Sequence, residues 1–233
     1  MKMILIVAAT FIIAGTVSAQ DPLDATEMEQ VMAPVDFSDV AKSIWDVVKK
    51  GADDYRDETT SRSEFETAAE FDARLAQRRS DLAAKIQTFV ESKKIANRVF
   101  AVWFSAALVR YNADSQTYSI TSSTEISVPP TAEDVTTTCP ANQYISLQEK
   151  NQRGYKFAYL VLKAKSEYSW HVDGKTARGA KADEPNVAFK VWFRFDMSQA
   201  FVGGAGQFTI VPLRIALINR GSNTTYWSDD ILK

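Results

Sequence analysis

At Arg98 the spacing of apolar residues changes from a helical period to a period of two, and that switch constrains the fold more than any other feature of the chain. Before it, Phe71, Leu75, Leu82, Ile86 and Phe89 recur at three-, four- and seven-residue intervals, which predicts an amphipathic helix from about Thr67 to about Ser92. Ser63 with Glu66, and Thr67 with Glu70, both fit a capping box, in which hydroxyl and carboxylate each satisfy the other residue's free backbone donor. Glu70 with Arg74, and Asp81 with Lys85, are spaced as i,i+4 ion pairs on its outer face. An earlier stripe of Val40, Ile44, Val47 and Val48 predicts a short helix, capped by Asp36 or Ser38 and ended at Gly51. A charged loop over residues 52–62 should then join the two.

After Arg98 the pattern is that of strands. Residues 99–109 are almost continuously apolar and predict one central strand, followed by turn chemistry at 112–115 and a hairpin partner at 117–121. The Ser/Thr/Pro-rich stretch 122–140 reads as loop, with one short strand at 125–128. Tyr155, Phe157, Tyr159 and Val161 alternate with Lys156 and Ala158, and Val187, Phe189, Val191, Phe193 and Phe195 alternate with Lys190, Trp192 and Arg194. In residues 208–218 the apolar phase moves from even to odd positions at Pro212, which predicts a bulge or an edge there. Helices followed by such strands make an α+β chain: N-terminal amphipathic helices packed on a mainly antiparallel β-sheet or sandwich.

The first nineteen residues carry an address. Lys2 precedes an apolar run at 3–14 that is too short to span a membrane, and Val17-Ser18-Ala19 forms a small-residue cleavage site. The expected organisation is a signal peptide over 1–19, a leader and short helix over 20–62, and a helix plus antiparallel β domain over 63–233. The product would be periplasmic or secreted, without an integral membrane segment in the mature chain. The sequence has 27 basic and 29 acidic residues, and loss of Lys2 leaves the mature chain at −3. That balance disfavours nucleic acid and anionic membranes as partners. Cys139 is the only cysteine, so no internal disulfide forms.

Residues 63–74 (SEFETAAEFDAR) resemble a motif of uncharacterised bacterial exported and envelope proteins, roughly D-E-F-E-T-x-x-E-[FY]-x-x-R, followed there by a helix and β structure. Residues 109–114 are similar to that group's R-Y-D-A-D strand end, and residues 195–200 with 213–215 to its closing strand pair. Ser63 and Asn112 depart from the pattern, as does the Thr-rich insert around Cys139. The resemblance implies an exported α+β protein with no assigned activity and no catalytic residues to carry over. The residues alone read the motif as a capping box, a core aromatic and an ion pair.

Candidate chemistry is sparse. His171 is the only histidine; on a strand it lies roughly 13 Å from Glu167, and Asp173 alone does not complete a metal site. Cys139 has no neighbouring base to hold a thiolate, leaving a quiescent thiol or an intermolecular disulfide. The glycines of residues 203–206 read as a turn, and the pairs Asp53-Asp54 and Asp229-Asp230 as solvating acids. Trp192, flanked on its strand face by Lys190 and Arg194, is a possible surface for a protein or glycan partner; the usual burial of tryptophan favours a covered face instead. No catalytic residue, cofactor or metal ligand is assigned. The leading reading is an exported, non-enzymatic binding or structural module. The alternative is a hydrolase whose site is assembled from dispersed acidic and polar residues.

Export makes the first prediction. The secreted chain should begin at Gln20, and intact-mass measurement that found residues 1–19 still attached would replace the cleaved reading with an anchored one.

Overall fold

Helix α1 (Pro34–Thr59) opens on a proline, whose missing N–H is harmless in a first helical turn. It runs straight through Gly51, so the short helix and charged loop expected from the sequence are one continuous element. Ion pairs at i,i+4 line its outer face: Lys42 with Asp46 and Lys49 with Asp53 at 2.6 Å, and Lys50 with Asp54 at 3.0 Å. Its inner stripe of Phe37, Ala41, Ile44, Val48, Ala52 and Tyr55 is buried. The computed structural model describes residues 34–95, 98–140, 142–163, 169–198, 200–202 and 205–231. The signal peptide over 1–19 and the leader up to residue 33 lie outside them.

Helix α2 (Ala68–Ser92) has Thr67 as its N-cap in a complete capping box with Glu70, and buries Leu82, Ile86 and Val90. Phe71, Leu75 and Phe89 are only half-buried. Two expected ion pairs are replaced. Glu70 is held by Thr67, while Arg74 reaches back to Glu66 at 2.9 Å; Asp81 accepts from Gln77 at 2.8 Å instead of meeting Lys85.

The strands form three sheets. The largest contains β1 (Phe100–Ser105), β5 (Val135–Thr138), β9 (Val187–Asp196), β10 (Phe201–Val202), β11 (Ala205–Asn219) and β12 (Thr224–Asp230). The fifteen-residue β11 is its spine: β9 and β10 pair along one edge, β12 and the parallel β5 along the other. The predicted irregularity is a register shift between Pro212 and Arg214 against β9. It moves the inner-face residues from Phe208 and Ile210 to Ile215 and Leu217, all fully buried, and turns Leu213 to the opposite face.

Two smaller antiparallel sheets complete the fold: β2 (Ala107–Asn112) with β3 (Thr117–Thr121) and β8 (Ser169–His171), and β4 (Glu125–Val128) with β7 (Tyr155–Leu162) and β6 (Ile145–Gln152). The apolar run at 99–109 is therefore two strands in two sheets. The break falls where the Ser105 N–H donates to Thr124 Oγ1 at 2.8 Å and the Leu108 N–H to Glu184 Oε1 at 2.8 Å, side chains taking ladder donors. Strand β5 emerges from the expected Thr-rich loop, and α3 (Gly174–Ala182) starts from Asp173, whose carboxylate accepts from the N–H groups of Lys175 and Thr176.

One core joins α1 and α2 to the inner faces of the sheets. Phe37 anchors α1 there, with ring centroids 5.3 Å from Phe193 and 5.4 Å from Phe195. The helix comes so close to β11 that a Cβ on Gly206 would stand 2.3 Å from Val48 Cγ1, and so close to α2 that a Cβ on Gly51 would stand 2.2 Å from Leu82 Cδ1. Gly206→Ala should therefore destabilise the protein by about 1–3 kcal/mol, since β-branched Val48 has little rotamer freedom to retreat. In urea melts, the Val48→Ala/Gly206→Ala double variant should lose at least ~0.5 kcal/mol less than the two single losses added together.

Candidate binding groove

The outer flank of α1 and the end of β4 enclose a groove of about 310 Å³. Ser38, Asp39, Lys42, Trp45 and Asp46 recur at helical spacing and form one wall. The other is built from Ser127, Val128, Pro129, Pro130 and, from β7, Phe157. Consecutive prolines end β4 because neither has an N–H for the ladder, and they leave a rigid apolar ledge. The hydroxyl of Ser38 donates to the Ser127 carbonyl at 2.5 Å and ties the walls together. Lys42 and Asp46 pair at 2.6 Å on the rim.

Two features mark this groove. Among the described residues no acceptor meets the buried Trp45 Nε1–H, a state that costs free energy until something accepts the proton. Phe157 is 38 % exposed, and Tyr155, on the same face of β7, is 71 % exposed. The walls offer aromatic and proline surface, one indole donor and a charged rim, which suits binding of an apolar group in an extended setting.

The Ser63–Arg74 motif builds a clasp instead of a core. Arg74 binds Glu66 through two hydrogen bonds of 2.9 Å and donates to the carbonyls of Glu58 and Ser61, fixing the α1–α2 connection. The Arg74 guanidinium holds the Glu66 carboxyl below its usual range. Phe65 is 88 % exposed and Phe71 half-buried 5.1 Å beneath Arg74, so neither is the core aromatic expected.

The other sequence candidates are dispersed. Lys190 and Trp192 are buried and Arg194 half-buried on the far face of the large sheet, with the Lys190 ammonium 4.9 Å from the Trp192 ring. His171 is exposed on β8, while Asp173 is spent on capping α3; hydrogen bonds from Thr176 hold that carboxyl below its ordinary value. Glu167, Gly203 and Gly204 lie outside the described residues. The paired acids are structural. Asp53 accepts from Lys49 and Arg56 and Asp54 from Lys50; Asp229 accepts from the Tyr144 hydroxyl at 2.6 Å and Asp230 pairs with Arg214. Among the described residues no three His, Cys, Asp or Glu side chains gather as a metal site requires, and no helix is long and apolar enough to cross a membrane.

Sequence reasoning missed the groove. Its signal was Trp45 just off the apolar stripe of α1, together with the Pro-Pro pair closing an alternating segment. The chain matches no protein-family model, no curated protein and no solved structure.

Cys139 is packed against the core, and burial pushes its thiol up to about 12. At pH 8 an ordinary thiol is about a quarter ionised, whereas this one is about one part in ten thousand thiolate. Labelling by a small disulfide reagent should be at least ~100-fold slower in the folded protein than in urea, rising about tenfold per pH unit.

Proposed function

We propose that this is an exported binding module of the periplasm or cell envelope, and that the groove between α1 and the Pro129-Pro130 ledge receives an extended segment of a protein partner. The observation that carries the reading is the apolar concavity walled by Trp45, Pro129, Pro130 and Phe157. An apolar side chain of the partner would fill it, and a main-chain carbonyl would accept the Trp45 indole proton after a small turn of the ring. The Lys42, Asp39 and Asp46 rim would set the charge of the flanking residues. The signal-type N-terminus and the resemblance of residues 63–74 to exported envelope proteins support the location. A binding role also accords with the two residues best suited to catalysis: Asp173, two residues after His171, is engaged in capping α3, and Cys139 is held as a neutral thiol.

Selection of displayed random heptapeptides tests the assignment. Enriched peptides should carry an apolar or aromatic residue at a fixed position. Trp45→Phe, which keeps the ring and deletes the donor, should weaken them about tenfold, or ~1.4 kcal/mol. Phe157→Ala should weaken them at least as much, and Phe65→Ala should have no effect. Peptides indifferent to both groove substitutions, or no enrichment at all, would overturn the groove as the site.

A further inference from the structure

Strand β7 outruns one of its two neighbours. It pairs with β6 along its whole length, from Tyr155 to Leu162, but with β4 only over residues 158–161. The β4 ladder stops at Val128 because Pro129 and Pro130 follow and neither carries an N–H. Tyr155, Lys156 and Phe157 therefore have a paired flank toward β6. Among the described residues no strand pairs with them on the flank toward the groove.

Which main-chain groups face that flank follows from the hairpin. Arg153 and Gly154, with φ of 52° and 83°, form a two-residue turn of the I′ kind. Such a turn makes Gln152 and Tyr155 a hydrogen-bonded pair, so Tyr155, Phe157 and Tyr159 direct their main-chain groups to β6. Lys156, Ala158 and Leu160 direct theirs the other way. Ser127 agrees with that parity: it stands opposite Tyr159, and its carbonyl accepts from Ser38 on α1, away from β7. Val128 and Ile126 meet Ala158 and Leu160, whereas the N–H and C=O of Lys156 lie just past the end of β4.

Charge gives this flank a direction. Among the described residues Asp39, at the groove, has no ion-pair partner, while its neighbour Lys42 is taken by Asp46. Arg153 is exposed at the hairpin tip with no acid paired to it, while Lys150 and Lys156 on the hairpin arms pair with Glu125 and Glu149. An unpaired acid thus stands at one end and an unpaired base at the other, which calls for the opposite order in whatever binds between them.

We propose that the partner segment adds to β7 as a short antiparallel strand beside Lys156, in the sheet position that β4 leaves at Pro129, and that it has the sequence class basic, apolar, any, apolar, acidic. This rests on the groove being the binding site. Both existing pairings of β7 are antiparallel, the more stable ladder, and a segment added in that sense runs from the groove to the tip. Its central residue exchanges two main-chain hydrogen bonds with Lys156. The apolar residues on either side recur about 6.6 Å apart, the interval between the Phe157 and Tyr155 side chains, and stack on them as cross-strand pairs. The first also turns into the groove toward Trp45. The base meets Asp39 and the acid meets Arg153.

The heptapeptide Gly-Lys-Val-Thr-Val-Asp-Gly, capped at both ends, tests this on the full chain. At saturation it should slow hydrogen exchange of the Lys156 amide at least tenfold and leave that of Tyr155, already bonded to β6, within twofold. Methylating the backbone nitrogen of its threonine should weaken binding at least tenfold, and methylating that of its second valine less than twofold. Exchanging its lysine and aspartate should weaken binding at least fivefold, a difference that Asp39→Asn/Arg153→Gln should remove. Unchanged Lys156 exchange, equal effects of the two methylations, or no binding of the peptide would each overturn the strand pairing. Indifference to charge order would overturn the sequence class. The groove itself is judged separately: it falls if Trp45→Phe and Phe157→Ala leave the selected peptides unaffected, and it stands if they weaken them while Lys156 exchange does not respond.

Discussion

Close approach of α1 to β11 is the contact on which the remaining architecture rests. The missing side chain at Gly206 lets Val48 sit against the strand, and the missing side chain at Gly51 lets α2 close on the other flank through Leu82. With both contacts made, Phe37 reaches Phe193 and Phe195, and Tyr55 reaches Phe201 at 5.2 Å. The same seating holds the opposite flank of α1 against β4, where Trp45 faces the two prolines. The groove is thus a by-product of core packing.

Much of this architecture was readable from spacing alone. The capped α2, the hairpin of β2 and β3, strands β4, β7 and β9, and the irregularity at Pro212 each left a local signature. What escaped was decided by tertiary contact. Gly51 looks like a helix terminus because glycine usually marks one, and only Leu82 explains why it lies mid-helix. The apolar run at 99–109 carries no mark of the break at Ala106, because the groups that enforce it, Thr124 and Glu184, arrive from far along the chain. Helix α3 was invisible because it buries little more than Ala177 and Ala180. The candidate site was less legible still. Trp192 drew attention through flanking charges and lies buried, whereas Trp45 became notable only once Pro129 and Phe157 stood opposite it.

The chain handles charge in a consistent way. Adjacent acids are divided between partners, with Asp53 on Lys49 and Arg56, Asp54 on Lys50, Asp229 on Tyr144 and Asp230 on Arg214. Such exposed pairs contribute modestly to stability, but they fix side-chain directions along α1 and β12. Arg74 differs, because its bonds to Glu66 and to two carbonyls hold a connection that has little apolar anchorage of its own.

The register shift at Pro212 acts as a parity element. One extra residue assigns Phe208 and Ile210 to the same side as Ile215 and Leu217, although their positions differ by odd numbers. Any lineage that lengthens or shortens either half of β11 by one residue would exchange the helix-facing and opposite rows of that half. Changes of two would preserve them. Length variation along this strand is therefore quantised, and the odd residue already present at Leu213 is the one about which both halves are aligned.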